Sequence, residues 1–172
     1  NFRFDIDSLG NVYYPVYSPI DNVSIIKVNK SGEVIDRIES VFPVANNQGS
    51  HRQVKLFQRD EEGNFIVIGA NLPYIEYLDP SGKSLKRFDL DNFEPIKRAI
   101  DSLEVDISNG FFQPNSIPMV IMDAQYDSGR LYIKFTDRVG YNRSNARNLL
   151  VFEINKEELK LEKILKFKTG TR

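Results

Sequence analysis

Short apolar runs, each closed by a small polar cluster, recur along the chain in a fixed order. Three segments line up. The first is FRFDIDSLGNVYYPV followed by VSIIKVNKSGEVIDRI, the second VKLFQRDEEGNFIVIG followed by YIEYLDPSGKSLKRF. The third is MVIMDAQYDSGRLYIKF followed by NLLVFEINKEELKLEKILKF. Each predicts strand, tight turn, strand, loop, strand, tight turn, strand. The strands are rich in β-branched and aromatic residues: Val12, Tyr13 and Tyr14; Phe65, Ile66, Val67 and Ile68; Leu131, Tyr132 and Ile133. Several are apolar at consecutive positions, the pattern of sheets covered on both faces. A four-stranded meander of this kind cannot bury both faces alone, so it stacks on copies of itself.

The turns carry their own chemistry. The first turn of each unit holds Gly10, Gly63 or Gly129, and the second holds Gly32 or Gly82. Glycine supplies the reversal, and the Asp or Asn that opens each turn caps it through nearby backbone. The third copy departs twice. Its first turn, Asp127-Ser-Gly129, is one residue shorter between Asp and Gly. Its second, residues 155–158, lacks glycine, which predicts a longer or different turn there. A helix is predicted near 92–103, with Phe93, Ile96, Ile100 and Leu103 on one face, Asp91 or Asn92 as cap, and Pro95 tolerated in the first turn.

The D-x-x-G-N turn followed by the D/N-x-S-G-K/E turn resembles the NHL-like and six-bladed β-propeller families, including propeller proteins of the bacterial cell envelope. The resemblance spans nearly the whole chain and implies an all-β fold. The expected architecture is a partial propeller of about three four-stranded antiparallel blades over 2–40, 54–90 and 119–168, with one short helix, as a single domain over 1–172. Three blades do not close a ring, since propellers have about four to eight. The remaining blades of a longer chain, a pairing of two copies, or an open stack are the alternatives; a fragment of a longer chain is the favoured one.

Composition narrows the function classes. The 172 residues carry 23 Lys or Arg and 24 Asp or Glu, a net charge of −1, so no overall field gathers nucleic acid or anionic membrane. There is no cysteine, hence no disulfide or thiolate chemistry, and no apolar run long enough to span a membrane. The chain opens on Asn1, not Met, with strand-like sequence at once. This predicts that the natural N-terminus has been removed, and a targeting signal with it. The resemblance implies a periplasmic, cell-surface or secreted location.

In a meander the tight turns emerge at one end and the long connections at the other. The long-loop rim therefore gathers the candidate binding residues: Tyr17, Asp21, His51, Arg52, Asn71, Tyr74, Phe111, Phe112, Gln113, Asp137, Arg138, Tyr141, Arg143 and Arg147. Within TDRVGYNRSNARN, three arginines around Tyr141 fit a carboxylate, a phosphate or a sugar acid, against the plainer reading of a solvated insertion. Phe111 and Phe112 either stack on a ligand or plug the end of the sheets. His51 is the only histidine and lacks an orienting acid, a nucleophile motif or fellow nitrogen donors, so no metal site or cofactor is expected.

Two functions follow. The first is a non-catalytic binding or scaffold module that engages a protein, peptide or glycan through the rim. The alternative, implied by the resemblance, is a hydrolase or lactonase with a divalent cation in the central channel. For that role the chain offers Asp5, Asp123 and Asn71, and the sequence leans away from an enzyme. Asp5 and Asp7 share a strand face, but a turn and channel role is the favoured reading for both.

Overall fold

The structure, a computed structural model, describes residues 4–16, 23–39, 54–111, 119–136 and 148–167. It contains three four-stranded antiparallel sheets, each a meander. The first is built from β1 (Asp5–Ile6), β2 (Val12–Pro15), β3 (Val23–Val28) and β4 (Val34–Glu39). The second holds β5 (Lys55–Arg59), β6 (Phe65–Gly69), β7 (Tyr74–Leu78) and β8 (Ser84–Asp89). After helix α1 (Glu94–Ser108) come β9 (Ile121–Asp127), β10 (Arg130–Phe135), β11 (Asn148–Ile154) and β12 (Leu159–Lys166). Strand order follows chain order in every sheet, so the repeated units of the sequence are the sheets of the structure.

The sheets stack face to face with the second in the middle. Every residue of β6 is buried, because its alternating side chains enter two different cores. Phe65 and Val67 join Tyr13, Ile25 and Ile38 of the first sheet. Ile66 and Ile68 join Leu131, Ile133 and Phe152 of the third, along with the buried face of α1. Consecutive apolar residues in one strand are thus explained by a sheet covered front and back.

The helix uses the expected face, with Ile96, Ile100 and Leu103 buried and Phe93 partly so. Its ends differ from expectation. Neither Asp91 nor Asn92 caps it; Phe93 occupies the N-cap with no side-chain cap bond. The reason is packing: the Phe93 ring meets Phe152 edge-on at 4.9 Å and 87°. The helix also runs five residues past Leu103, to Ser108. It stops in a left-handed closure, where Gly110 (φ +73°) lets its own N–H reach Ile107 O and that of Phe111 reach Asp106 O.

The third sheet's turns depart from the others in different ways. Ser128 (φ +49°) and Gly129 (φ +79°) both adopt positive φ, a two-residue turn suited to hairpin twist. The turn after β11 is different, but shorter rather than longer: Ile154 pairs with Leu159, whereas Val28 pairs with Val34 and Leu78 with Ser84. The Asn155 side-chain oxygen accepts from both Glu157 N and Glu158 N, so the reversal closes without a residue at positive φ.

Candidate functional site

At the tight-turn end, polar groups are tied into the fold. Asp7 accepts from Leu9 N, Asn11 N, the Asn11 amide and the Tyr13 hydroxyl. The Asn11 side chain, seconded by those other donors and opposed by desolvation, holds the Asp7 carboxyl well below the usual carboxylate range. Asp60 repeats the pattern with Glu62 N, Asn64 N and the Asn64 amide, and the Tyr77 hydroxyl donates to it. Burial, and then that bond, push the Tyr77 hydroxyl upward.

The inner strands are joined by side chains the sequence reading missed. Asp5, a candidate for channel chemistry, accepts from Arg59 Nη1 at 3.0 Å and so links the first sheet to the second. The Arg59 guanidinium lies 4.6 Å from the Tyr13 ring centre, and Lys27 Nζ lies 5.1 Å from it. On the other side, Gln58 Oε1 accepts from Tyr126 N, and the Tyr126 hydroxyl donates to Glu61, linking the second sheet to the third. Successive residues of β5 thus hold opposite neighbours. Between the first two sheets, Glu76 is buried and accepts from Ser84 Oγ and Arg87 Nη2. Lys55 is buried nearby; burial pushes its ammonium down to about 8, with Glu76 opposing. The sequence signal for this cluster was a lone Glu in the otherwise apolar YIEYL.

At the rim end, one knot of hydrogen bonds roots the long connections. Asn71 Oδ1 accepts from Val120 N at 2.9 Å, and Ala70 O accepts from Ile121 N at 2.8 Å. Ala70 N donates to Val54 O, Leu90 N to Pro73 O, and Thr136 N to Val120 O. Ala70, Asn71 and Leu72 are buried. Val54, Leu90, Val120 and Thr136 are the points from which the long connections depart or return.

The sequence-predicted rim residues divide accordingly. Asn71 works inside the fold, as part of this knot. The Tyr74 ring packs partly buried against the core between the first two sheets. Phe111 is 62% exposed just past the helix, so it does not plug the sheets. Tyr17, Asp21, His51, Arg52, Phe112, Gln113, Asp137, Arg138, Tyr141, Arg143 and Arg147 lie outside the described residues. Of the metal candidates, Asp123 Oδ1 accepts from Ala124 N, and among the described residues no group of three or more His, Cys, Asp or Glu is placed to hold an ion. A cavity of about 200 Å³ lies at the seam of α1 and the third sheet, lined by Pro95, Ala99, Phe135 and Asn148 among others. It falls short of the roughly 300–1,000 Å³ of a drug-sized ligand site.

No helix among the described residues is long and apolar enough to cross a membrane. No protein-family model matches the sequence, and no curated protein matches it. Among solved structures, the chain is similar to a protein of unknown function from Bacteroides caccae, with 15% identity and a TM-score of 0.54. That likeness covers 96% of this chain and 46% of the other, and at such identity it shows the fold alone. A streptogramin B lyase structure aligns over 99% of this chain and 41% of that one, with 13% identity; its TM-score of 0.48 is too low to carry an argument. The chain therefore spans less than half the length of either solved chain.

Proposed function

We propose that this chain is a binding module, a propeller-like stack that presents its long-loop rim to a protein, peptide or glycan. The observation that carries the reading is the knot at Ala70 and Asn71. Connections that add length without building the core carry an ordering cost, and they are useful when a rigid base holds their ends. Here hydrogen bonds hold Val54, Leu90 and Val120 against one buried loop, and Thr136 against Val120. The loop between β10 and β11 leaves from Thr136 and carries Arg138, Tyr141, Arg143 and Arg147, a set suited to carboxylate recognition.

The reading also draws support from the Asp5–Arg59 and Asn71–Val120 contacts, which give two of the sequence's candidate metal ligands structural work. The test is a titration of the isotope-labelled chain with an oligogalacturonide and with an acidic peptide, followed by amide chemical shifts. Shifts concentrated between residues 136 and 148 and at the knot amides are expected, with Arg143→Ala/Arg147→Ala weakening binding about tenfold or more. Shifts concentrated at the glycine-turn end would refute the proposal. So would stoichiometric divalent-cation uptake accompanied by lactone hydrolysis.

A further inference from the structure

The buried face of α1 is built from Ile96, Ala99, Ile100 and Leu103. Three of these are large branched side chains, whereas Ala99 offers a single methyl group. Beside it the helix and the third sheet do not close on one another, and a cavity of about 200 Å³ remains, lined by Pro95, Arg98, Ala99, Phe135, Asn148 and Ile164. Its floor is covered, since Ala99, Phe135 and Asn148 are at most 4% exposed. Its lip is open, because Ile164 is 41% exposed and the Arg98 side chain 71%. Phe135 ends β10, Asn148 begins β11, and the two pair across the ladder. The cavity therefore sits at the root of the β10–β11 loop.

We infer that this cavity holds one apolar side chain of a peptide ligand, of leucine or phenylalanine size, with an acidic residue beside it. The inference rests on the binding-module reading and narrows its ligand classes to one. Size is the first argument. An apolar cavity of about 150 Å³ holds one benzene ring, so about 200 Å³ takes a single such side chain rather than a whole ligand. Wall chemistry is the second. Pro95, Ala99, Phe135 and Ile164 are apolar, so a sugar ring lodged among them would lose the hydration of its hydroxyls without gaining partners. Asn148 adds one amide to that wall, which both donates and accepts as a peptide group does. Charge is the third. At the lip Arg98 Nε meets Glu94 at 3.2 Å, but both side chains are mostly exposed. Such surface pairs contribute little, so a ligand carboxylate can compete for the guanidinium. An apolar anchor in a pocket, with charge at its edge, is the arrangement that concentrates binding energy at interfaces.

Two end-blocked peptides, Glu-Leu-Glu and Glu-Ala-Glu, titrated into the isotope-labelled chain test it. The leucine peptide is expected to shift the amides of Ala99, Phe135 and Asn148 and to bind about tenfold more tightly than the alanine peptide, which leaves those amides in place. Ala99→Leu fills the cavity from the helix side and should bring the leucine peptide down to the affinity of the alanine peptide. Ile164→Asn removes an apolar wall at an exposed position, so it should keep wild-type circular dichroism and weaken the leucine peptide alone. A leucine peptide that shifts none of the three cavity amides overturns the inference, whatever the alanine peptide does. So does a preference for leucine that survives both substitutions. If the two peptides bind equally and shift only residues 137–147, the cavity inference fails and the rim reading stands. If the leucine peptide shifts the cavity amides and neither peptide shifts residues 137–147, the cavity inference stands and the rim reading fails.

Discussion

Asn71→Ala separates a residue that holds the fold together from one that holds a ligand. The side chain has no exposed surface, and its oxygen accepts from Val120 N at 2.9 Å. Val120 is itself fully buried, so no water takes the place of the lost acceptor. A buried N–H left without its partner costs about 1–3 kcal/mol, and the vacated amide volume adds to it. Taking about 2 kcal/mol, and about 2–4 °C per kcal/mol for a chain of this size, the Tm should fall by about 4–8 °C. Differential scanning calorimetry reads that fall. Amide hydrogen exchange should show faster exchange at Val120 and at Ile121, whose N–H donates to the neighbouring Ala70 O. If Asn71→Ala leaves the Tm within about 1 °C of wild type, the knot is not a stabilising element. If ligand binding is then lost as well, Asn71 belongs to the binding surface after all.

Two further expectations concern turns and titration. Gly32 and Gly82 have nearly the same backbone, φ +83° and +86°, but a Cβ on Gly82 would sit 3.0 Å from Ile38 Cγ2 while one on Gly32 meets nothing within 4 Å. Both alanine variants should lose about 1–2 kcal/mol to the left-handed backbone, and Gly82→Ala should lose measurably more in chemical denaturation; equal losses would mean the turn of the second sheet does not bear on the first. Burial holds the Lys55 ammonium at about 8 against an ordinary 10.5, so the unfolded chain keeps that proton to higher pH than the folded one. Stability should therefore rise as pH climbs from about 8 toward 10.5, and Lys55→Met should flatten the rise in urea midpoints across that window; an unchanged slope would assign the effect to another group.

Much of this architecture could be read along the chain because its signals are local. Each meander is written in adjacent strands and in turns whose Asp or Asn caps its own backbone, so sheet boundaries and strand order follow without knowledge of distant contacts. The failures have a common physical form. Asp91 and Asn92 have good capping side chains, but the cap position went to Phe93, whose ring packs against Phe152 far along the chain. Asn71 looked like a rim ligand because a polar residue in a short loop carries no mark of the Val120 N–H it must satisfy. Most of the proposed rim surface lies in the segments outside the described residues, so its reading still rests on composition and on where those segments leave the sheets.

The two Tyr–Asp contacts show why aligned repeats hide such pairs. The Tyr13 hydroxyl donates to Asp7 and the Tyr77 hydroxyl to Asp60, an equivalent bond at an equivalent turn. Yet Tyr13 lies on the second strand of its sheet and Tyr77 on the third. Along the sequence, Tyr13 aligns with Ile66, and Lys27 aligns with Tyr77. Across the ladder, however, Tyr13 faces Lys27 and Ile66 faces Tyr77. The repeat preserves the cross-strand pair while exchanging its members, because a carboxylate at the turn can be reached from either side of that pair. The exchange also gives the two turns different neighbours. In the first sheet, Lys27 comes within 3.7 Å of Asp7, and both Lys27 and Arg59 lie over the Tyr13 ring. In the second, the partner of Tyr77 is the fully buried Ile66. What is repeated in this chain is thus the geometry of the sheet, with side-chain identity free to move wherever that geometry is satisfied from two directions.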